Sequence, residues 1–415
     1  MNPTTENSDG RYPERRRFSA GLVQIAQLLT PRRIRAHALI LALCLWGVFT
    51  IDYATPGLFD RAGNLKFQDF LPFYVSAHFV RDHHAHDLYD QRAVTHAEQA
   101  IVHYPPLRLP NLYGPQVALF FTPFGGFSFV VAAASWVAFG LLAYFLCIFS
   151  VGRLSPTLRS HGGLILLCAV AYPSLYEVVM RAQVSPLVLV SFTTAFLALR
   201  SERPLIAGFA LGFLVGKPQF ILAIPLVFLL ARSWMSLLGL ITSSLSQLLF
   251  ARFWFGEAVM HDYFSMLRHA PDWINTAELS LASIQMHSLR SFWELLIPWP
   301  IGVWILYFLS SMIVIVVAAR IWKSPSPLAI RFSALLIAVV LVNPHIYTYD
   351  LLALAPIFML VAEWSIQNAD HPNTRPANPA VPYVSPPSLR SASSLDAPAT
   401  FRDRLRGASL ALAAG

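Results

Sequence analysis

Phe127–Ser150, FSFVVAAASWVAFGLLAYFLCIFS, carries no charged side chain. Its length exceeds the roughly 20 apolar residues that carry a helix across a bilayer. In lipid every backbone N–H and C=O must be paired within the chain, so a continuous stretch of this kind crosses as a helix. An outer-membrane barrel would instead show short alternating segments. Further apolar runs lie at about 36–53, 162–180, 184–200, 204–216, 218–232, 235–252, 299–320, 325–342 and 349–366. The reading is an all-α, polytopic transmembrane helical bundle of about ten spans. The two runs around Gly216-Lys217-Pro218 are short and can form one pair broken at the proline.

Composition agrees. Of 415 residues, 56% are hydrophobic and only 13% charged, against about a quarter charged in soluble domains. The formal net charge of +8 does not point to nucleic acid, because it is concentrated beside spans. Arg11, Arg15, Arg16, Arg17, Arg32, Arg33 and Arg35 crowd one end, and such clusters stay in the cytoplasm. This divides the chain into a basic cytoplasmic segment (1–35), a membrane domain (36–366) and a tail (367–415). The tail is rich in Pro, Ser, Ala and Asn and is expected to be disordered. Both termini are expected to be cytoplasmic, with long extracytoplasmic loops at about 54–126 and 253–298. The first span reads as retained rather than cleaved. Cys44, Cys147 and Cys168 lie inside apolar runs and read as buried packing residues, without disulfide or metal spacing.

Chemistry-bearing residues gather in the connections. Lys66-Phe67-Gln68-Asp69-Phe70-Leu71-Pro72-Phe73-Tyr74 sets one carboxylate among aromatic rings. Desolvation raises a carboxyl pKa towards the range of a general base. An Asp there also suits the N-cap of a following helix, and Asp52 is a competing acid. Lys217, between Gly216 and Pro218, is a cation amid apolar runs. It either binds an anionic headgroup such as a phosphate or snorkels from a span end. Glu177 and Arg181 are spaced to pair on one helix, and Gln183 is a polar candidate for sugar hydroxyls. His345, in Asn343-Pro344-His345-Ile346-Tyr347-Thr348-Tyr349-Asp350, can donate to a phosphate or a sugar, or sit as a satisfied interfacial histidine. Arg81-Asp82-His83-His84-Ala85-His86-Asp87 permits a divalent metal, but its spacing matches no compact site. No Walker loop and no G-x-G-x-x-G fingerprint occurs, which removes Rossmann-type nucleotide-sugar chemistry.

Over about 38–366 the chain resembles glycosyltransferase family 87, the polyprenol-phosphate-mannose-dependent mannosyltransferases of GT-C fold. The segments that carry the likeness are Asp69-Phe70 with Tyr74 and Ala77, then Asp87-Leu88-Tyr89-Asp90. Tyr113-Gly114-Pro115 with Pro123 follows, Tyr104-Pro105-Pro106 being a rival match. Arg181-Ala182-Gln183-Val184 keeps only the Gln of the family's G-Q-N. Ala207-Gly208 to Gly216-Lys217-Pro218-Gln219 and Asn343-Pro344-His345 with Tyr349-Asp350 complete the set. The resemblance implies inverting transfer of mannose or another hexose from a polyprenyl-phosphate donor to a lipid or glycan hydroxyl. The site would lie on the outer face of a bacterial plasma membrane. It makes Asp69 the base, Lys217 and His345 the holders of the donor phosphate, and Tyr74, Tyr113, Gln183 and Tyr349 substrate-binding residues, with no cofactor demanded. A transporter or lipid flippase, and a polysaccharide polymerase or ligase, are the competing readings.

Overall fold

A computed structural model describes residues 30–102, 111–274 and 284–369. The basic segment up to residue 29, Tyr104-Pro105-Pro106 and the tail from 370 onward lie outside the described residues. The described chain is helical and forms no sheet, only the isolated bridges Phe59–Leu65 and Met286–Tyr347.

Each of the ten apolar runs is helical along most of its length, but they are not alike. Among the described residues, five helices are long and apolar enough to cross a membrane: Pro31–Tyr53, Phe129–Gly152, Trp234–His269, Pro300–Lys323 and Thr348–Gln367. A sixth crossing arises if the pair Gly162–Val170 and Pro173–Arg181, bent by 47°, counts as one. Pro173 has no N–H to continue the first helix, which accounts for the bend. Ser185–Arg200, Pro204–Gly216, Pro218–Ala231 and Leu328–Val342 are shorter apolar helices. At 1.5 Å per residue each falls short of the roughly 30 Å hydrocarbon core. The protein is therefore a multi-pass membrane protein, with five or six helices among the described residues able to cross by length and composition.

Small residues set the closest packing. A Cβ on Gly208 would lie 1.9 Å from the Ser236 carbonyl oxygen, and one on Gly239 would lie 2.1 Å from that of Leu205. The helices Pro204–Gly212 and Trp234–Ile274 thus meet backbone to backbone, the contact that small residues permit in membranes. The central core is built from Tyr144, Leu189, Phe192, Phe220, Phe228 and Phe332. A second cluster, including Phe70, Phe73, Phe121, Phe129 and Trp136, lies under the segment that carries Asp69.

Neither expected loop is an open connection. The first holds the helices Leu71–Arg81, Gln91–Val102 and Pro115–Phe121. The second begins inside a helix: Trp234–Ile274 continues past a kink at Gly256, where φ is +86°, a value that suits glycine. Beyond the kink, Val259, Met260 and Tyr263 pack on Leu88 and Tyr89 of the first connection. The cysteines also differ from expectation. Cys147 is buried, whereas Cys44 and Cys168 are exposed, because helices in lipid turn apolar side chains outward as well as inward.

Candidate active site

Asp69 sits in the short 3-10 turn Gln68–Phe70. The turn is entered through Phe67 in the left-handed region, φ 56°. It is anchored by Lys66 Nζ, which donates to the Thr55 carbonyl at 2.6 Å, and by the Tyr53 hydroxyl, which accepts from the Phe67 N–H at 3.4 Å. The N-cap alternative for Asp69 is not what forms: Phe70 occupies that position without a side-chain cap. The carboxylate instead faces the end of the helix Pro173–Arg181. Gln183 Nε2 donates to Asp69 Oδ2 at 2.7 Å, and Arg181 Nη1 lies 3.9 Å from the same oxygen. Arg181 Nε also binds Glu177 Oε2 at 2.9 Å, the pair its spacing called for. Ala182, at φ 54°, ends the helix and aims Gln183 back at the turn. Trp136 Nε1 fixes that bend by donating to the Ala182 carbonyl at 3.1 Å. Burial pushes the Asp69 carboxyl pKa above its ordinary value, against the opposing pull of Arg181, of the Gln183 hydrogen bond and of Lys217.

Lys217 occupies the break between the 3-10 turns Phe213–Gly216 and Pro218–Phe220. Its ammonium is ion-paired to Asp350. That internal counter-ion stands beside whatever phosphate the ammonium meets, and it rules out snorkelling, since the side chains are 7% and 1% exposed. A lone charge at such depth costs several kcal/mol, so an internal counter-ion is required. Ser185 Oγ donates to Asp350 Oδ1 at 3.0 Å, and the Tyr347 N–H reaches Oδ2 at 3.4 Å. The Phe220 and Tyr349 rings flank the ammonium at 5.2 and 5.4 Å. The Tyr113 hydroxyl also reaches Lys217, and burial pushes its pKa up to about 12. The Gly114 N–H, donating to the Gly216 carbonyl at 3.3 Å, holds that segment in place.

His345 lies near the same pair. Its backbone N–H donates to Asn343 Oδ1 at 2.9 Å. Its ring meets Tyr347 edge-on at 4.9 Å, and Tyr347 stacks on Tyr349 at 5.4 Å. Burial lowers the His345 pKa to about 4, with Lys217 and Arg290 adding to the shift against Asp350, so the ring is neutral near pH 7. Among the described residues, four buried polar atoms here have no hydrogen-bond partner: His345 Nδ1, Asn343 Nδ2 and both amide atoms of Gln116. Gln116 Nε2 would be 3.8 Å from a Cβ on Gly216. Native proteins rarely leave such groups unpaired unless something binds them.

The structure therefore brings Asp69, Gln183, Lys217, His345, Tyr113 and Tyr349 into one neighbourhood, with Lys217 influencing both Asp69 and His345. Gln183, a candidate for sugar hydroxyls, donates from its amide to Asp69. Tyr74 stands apart: its hydroxyl donates to the Phe127 carbonyl at 2.7 Å. Sequence reasoning missed Asp350 as the partner of Lys217 and Arg181 as a neighbour of Asp69. A buried acid in the Tyr349-Asp350 motif was the available signal for the first. The histidine-rich segment lies elsewhere: His86, Asp87, Asp90, Asp262 and His269 line a cavity of about 600 Å³. No set of three metal-capable side chains converges among the described residues.

The sequence model of glycosyltransferase family 87 matches residues 111–344. The chain belongs to glycosyltransferase family 87. This family 87 protein is a membrane glycosyltransferase, acting on a sugar donor and an acceptor. The match takes in Tyr113, Gln183, Lys217 and Asn343, begins after Asp69 and ends just before His345. Comparisons with curated proteins and with solved structures gave no match.

Proposed function

We propose that this glycosyltransferase moves a hexose, with mannose the first candidate, from a polyprenyl-phosphate donor to a hydroxyl of a lipid or glycan. The reading places the reaction at the outer face of a bacterial plasma membrane with both termini cytoplasmic, on the strength of the basic residues crowding the N-terminal end. The observation that carries it is the adjacency of a raised-pKa carboxylate, Asp69, to a buried ammonium, Lys217, amid polar atoms without partners among the described residues.

The chemistry follows from those parts. Asp69, positioned by Gln183, takes the proton of the acceptor hydroxyl. The acceptor oxygen forms its bond to the anomeric carbon as the bond from that carbon to the phosphate oxygen breaks, inverting the centre. Negative charge grows on the departing polyprenyl phosphate. Lys217, held in place by Asp350, and the amide and imidazole N–H groups nearby are preorganised for that charge. Lys217 supplies the positive charge that a metal supplies in other phosphate sites, so transfer is expected to persist in chelator.

The test is reconstitution with labelled donors. Transfer from a polyprenyl-phosphate hexose, with none from the matching nucleotide sugar, supports the proposal. Efficient transfer from the soluble nucleotide sugar in the absence of lipid-linked donor contradicts it.

A further inference from the structure

The helix Phe129–Gly152 begins in the aromatic cluster beside Asp69, where Phe129 packs on Phe70 and Tyr74. At 1.5 Å per residue its other end lies about 35 Å away. There a groove of about 640 Å³ opens between this helix and Gly162–Val170. Leu142, Leu146, Phe149 and Leu166 form apolar walls, all about half exposed. Arg153 and Arg159, both exposed, line the same groove where the two helices connect. The Arg153 guanidinium lies 3.8 Å from the centre of the Phe149 ring, so charge and apolar wall are in direct contact. Arg200 adds a third positive group by donating to the Leu154 carbonyl at 3.2 Å. Among the described residues, no carboxylate pairs with Arg153 or Arg159.

An apolar trough with two exposed guanidiniums at its mouth matches one kind of molecule: a chain of hydrocarbon ending in an anionic phosphate. Arginine forks fit phosphate oxygens, and basic pockets between membrane helices select anionic headgroups. A zwitterionic lipid would bring its own cation to the arginines. Free phosphate would leave the apolar walls unused. We propose that this groove holds an anionic phospholipid of the leaflet opposite the candidate active site. Its phosphate would sit between Arg153 and Arg159, with an acyl chain along Leu142, Leu146 and Phe149. The site is independent of the catalytic reading, since none of these residues belongs to the Asp69 and Lys217 cluster.

The full chain, delipidated in detergent, is offered phosphatidylglycerol or phosphatidylcholine, and bound lipid is counted by native mass spectrometry. Phosphatidylglycerol is expected to be retained preferentially. Its affinity should fall about fivefold in R153Q or R159Q and about thirtyfold in the double variant. Leu146→Trp, which fills the trough without changing charge, should also reduce retention. Millimolar inorganic phosphate should not displace the lipid. Equal retention of the two lipids by the unaltered chain, undiminished phosphatidylglycerol binding in R153Q/R159Q, or displacement by phosphate alone would overturn the proposal.

Discussion

Two carboxylates act on the same Lys217 and Tyr113 in this protein and are treated in opposite ways. Asp350 is saturated: one oxygen serves Lys217 and Ser185, the other the Tyr347 N–H, and its side chain is 1% exposed. Asp69 is 19% exposed and has one close partner, Gln183, with Arg181 at 3.9 Å and shared with Glu177. A saturated buried carboxylate holds something in place. One left with a free oxygen and a raised pKa can accept a proton. The difference assigns position to Asp350 and chemistry to Asp69.

The sharpest way to break this contrast is to strip Asp350 of its counter-ion. Lys217→Met leaves a lone buried carboxylate and should cost about 3–5 kcal/mol of stability, together with donor binding. Replacing both, as K217M/D350L, should restore most of the thermal stability and none of the transfer. Recovery of transfer in the double variant would mean that the pair is only structural.

Next come the neighbours that tune Asp69. Arg181 and Gln183 both lower its pKa, Arg181 more. Removing either raises the pKa, so Asp69 becomes a free base only at higher pH. The acid limb of the rate profile should therefore move upward in R181Q and, by less, in Q183L. Transfer at neutral pH should fall about tenfold or more, the scale of one hydrogen bond to a charged group. An acid limb that stays in place in both variants would separate the profile from Asp69.

Smaller in size is a stability effect of opposite sign. The folded-state pKa of Asp69 lies above its unfolded value, so the folded form holds the proton more tightly. Stability is then lost as pH rises from the ordinary carboxyl range through the folded value. Asp69→Asn should remove that loss and melt slightly higher than the unaltered chain at pH 7, with the gap closing in acid. Smallest is Tyr74→Phe, which deletes one hydroxyl bond to Phe127 worth about 1 kcal/mol. It should leave transfer within about twofold, placing Tyr74 on the structural side of the comparison.

The helices were legible because apolar runs without charge have few alternatives in lipid. Their lengths were less so. Pro204–Gly216 and Pro218–Ala231 read as two short crossings or as one broken pair; neither is long enough to cross alone, and the break at Lys217 is where the site forms. The helix past Gly256 was missed because His261, Asp262 and Arg268 interrupt any apolar run, although its inner face still packs on Leu88 and Tyr89. At the site, local spacing found the Glu177 and Arg181 pair but could not reveal Asp69 beside it. Asp69 and Gln183 are 114 residues apart, and Lys217 and Asp350 are 133 apart. Such pairings come from the fold, not from any window of sequence. What the chain did disclose was the cost of an unpaired Lys217, and the structure supplied the partner.

Single-turnover transfer by Asp69→Asn, with donor already bound, isolates the step in which the acceptor loses its proton. A general base contributes about 10²–10⁴-fold, so the variant should bind donor normally and transfer the sugar at least a hundredfold more slowly. Transfer within a few-fold of the unaltered protein would contradict the assignment of the proton to Asp69.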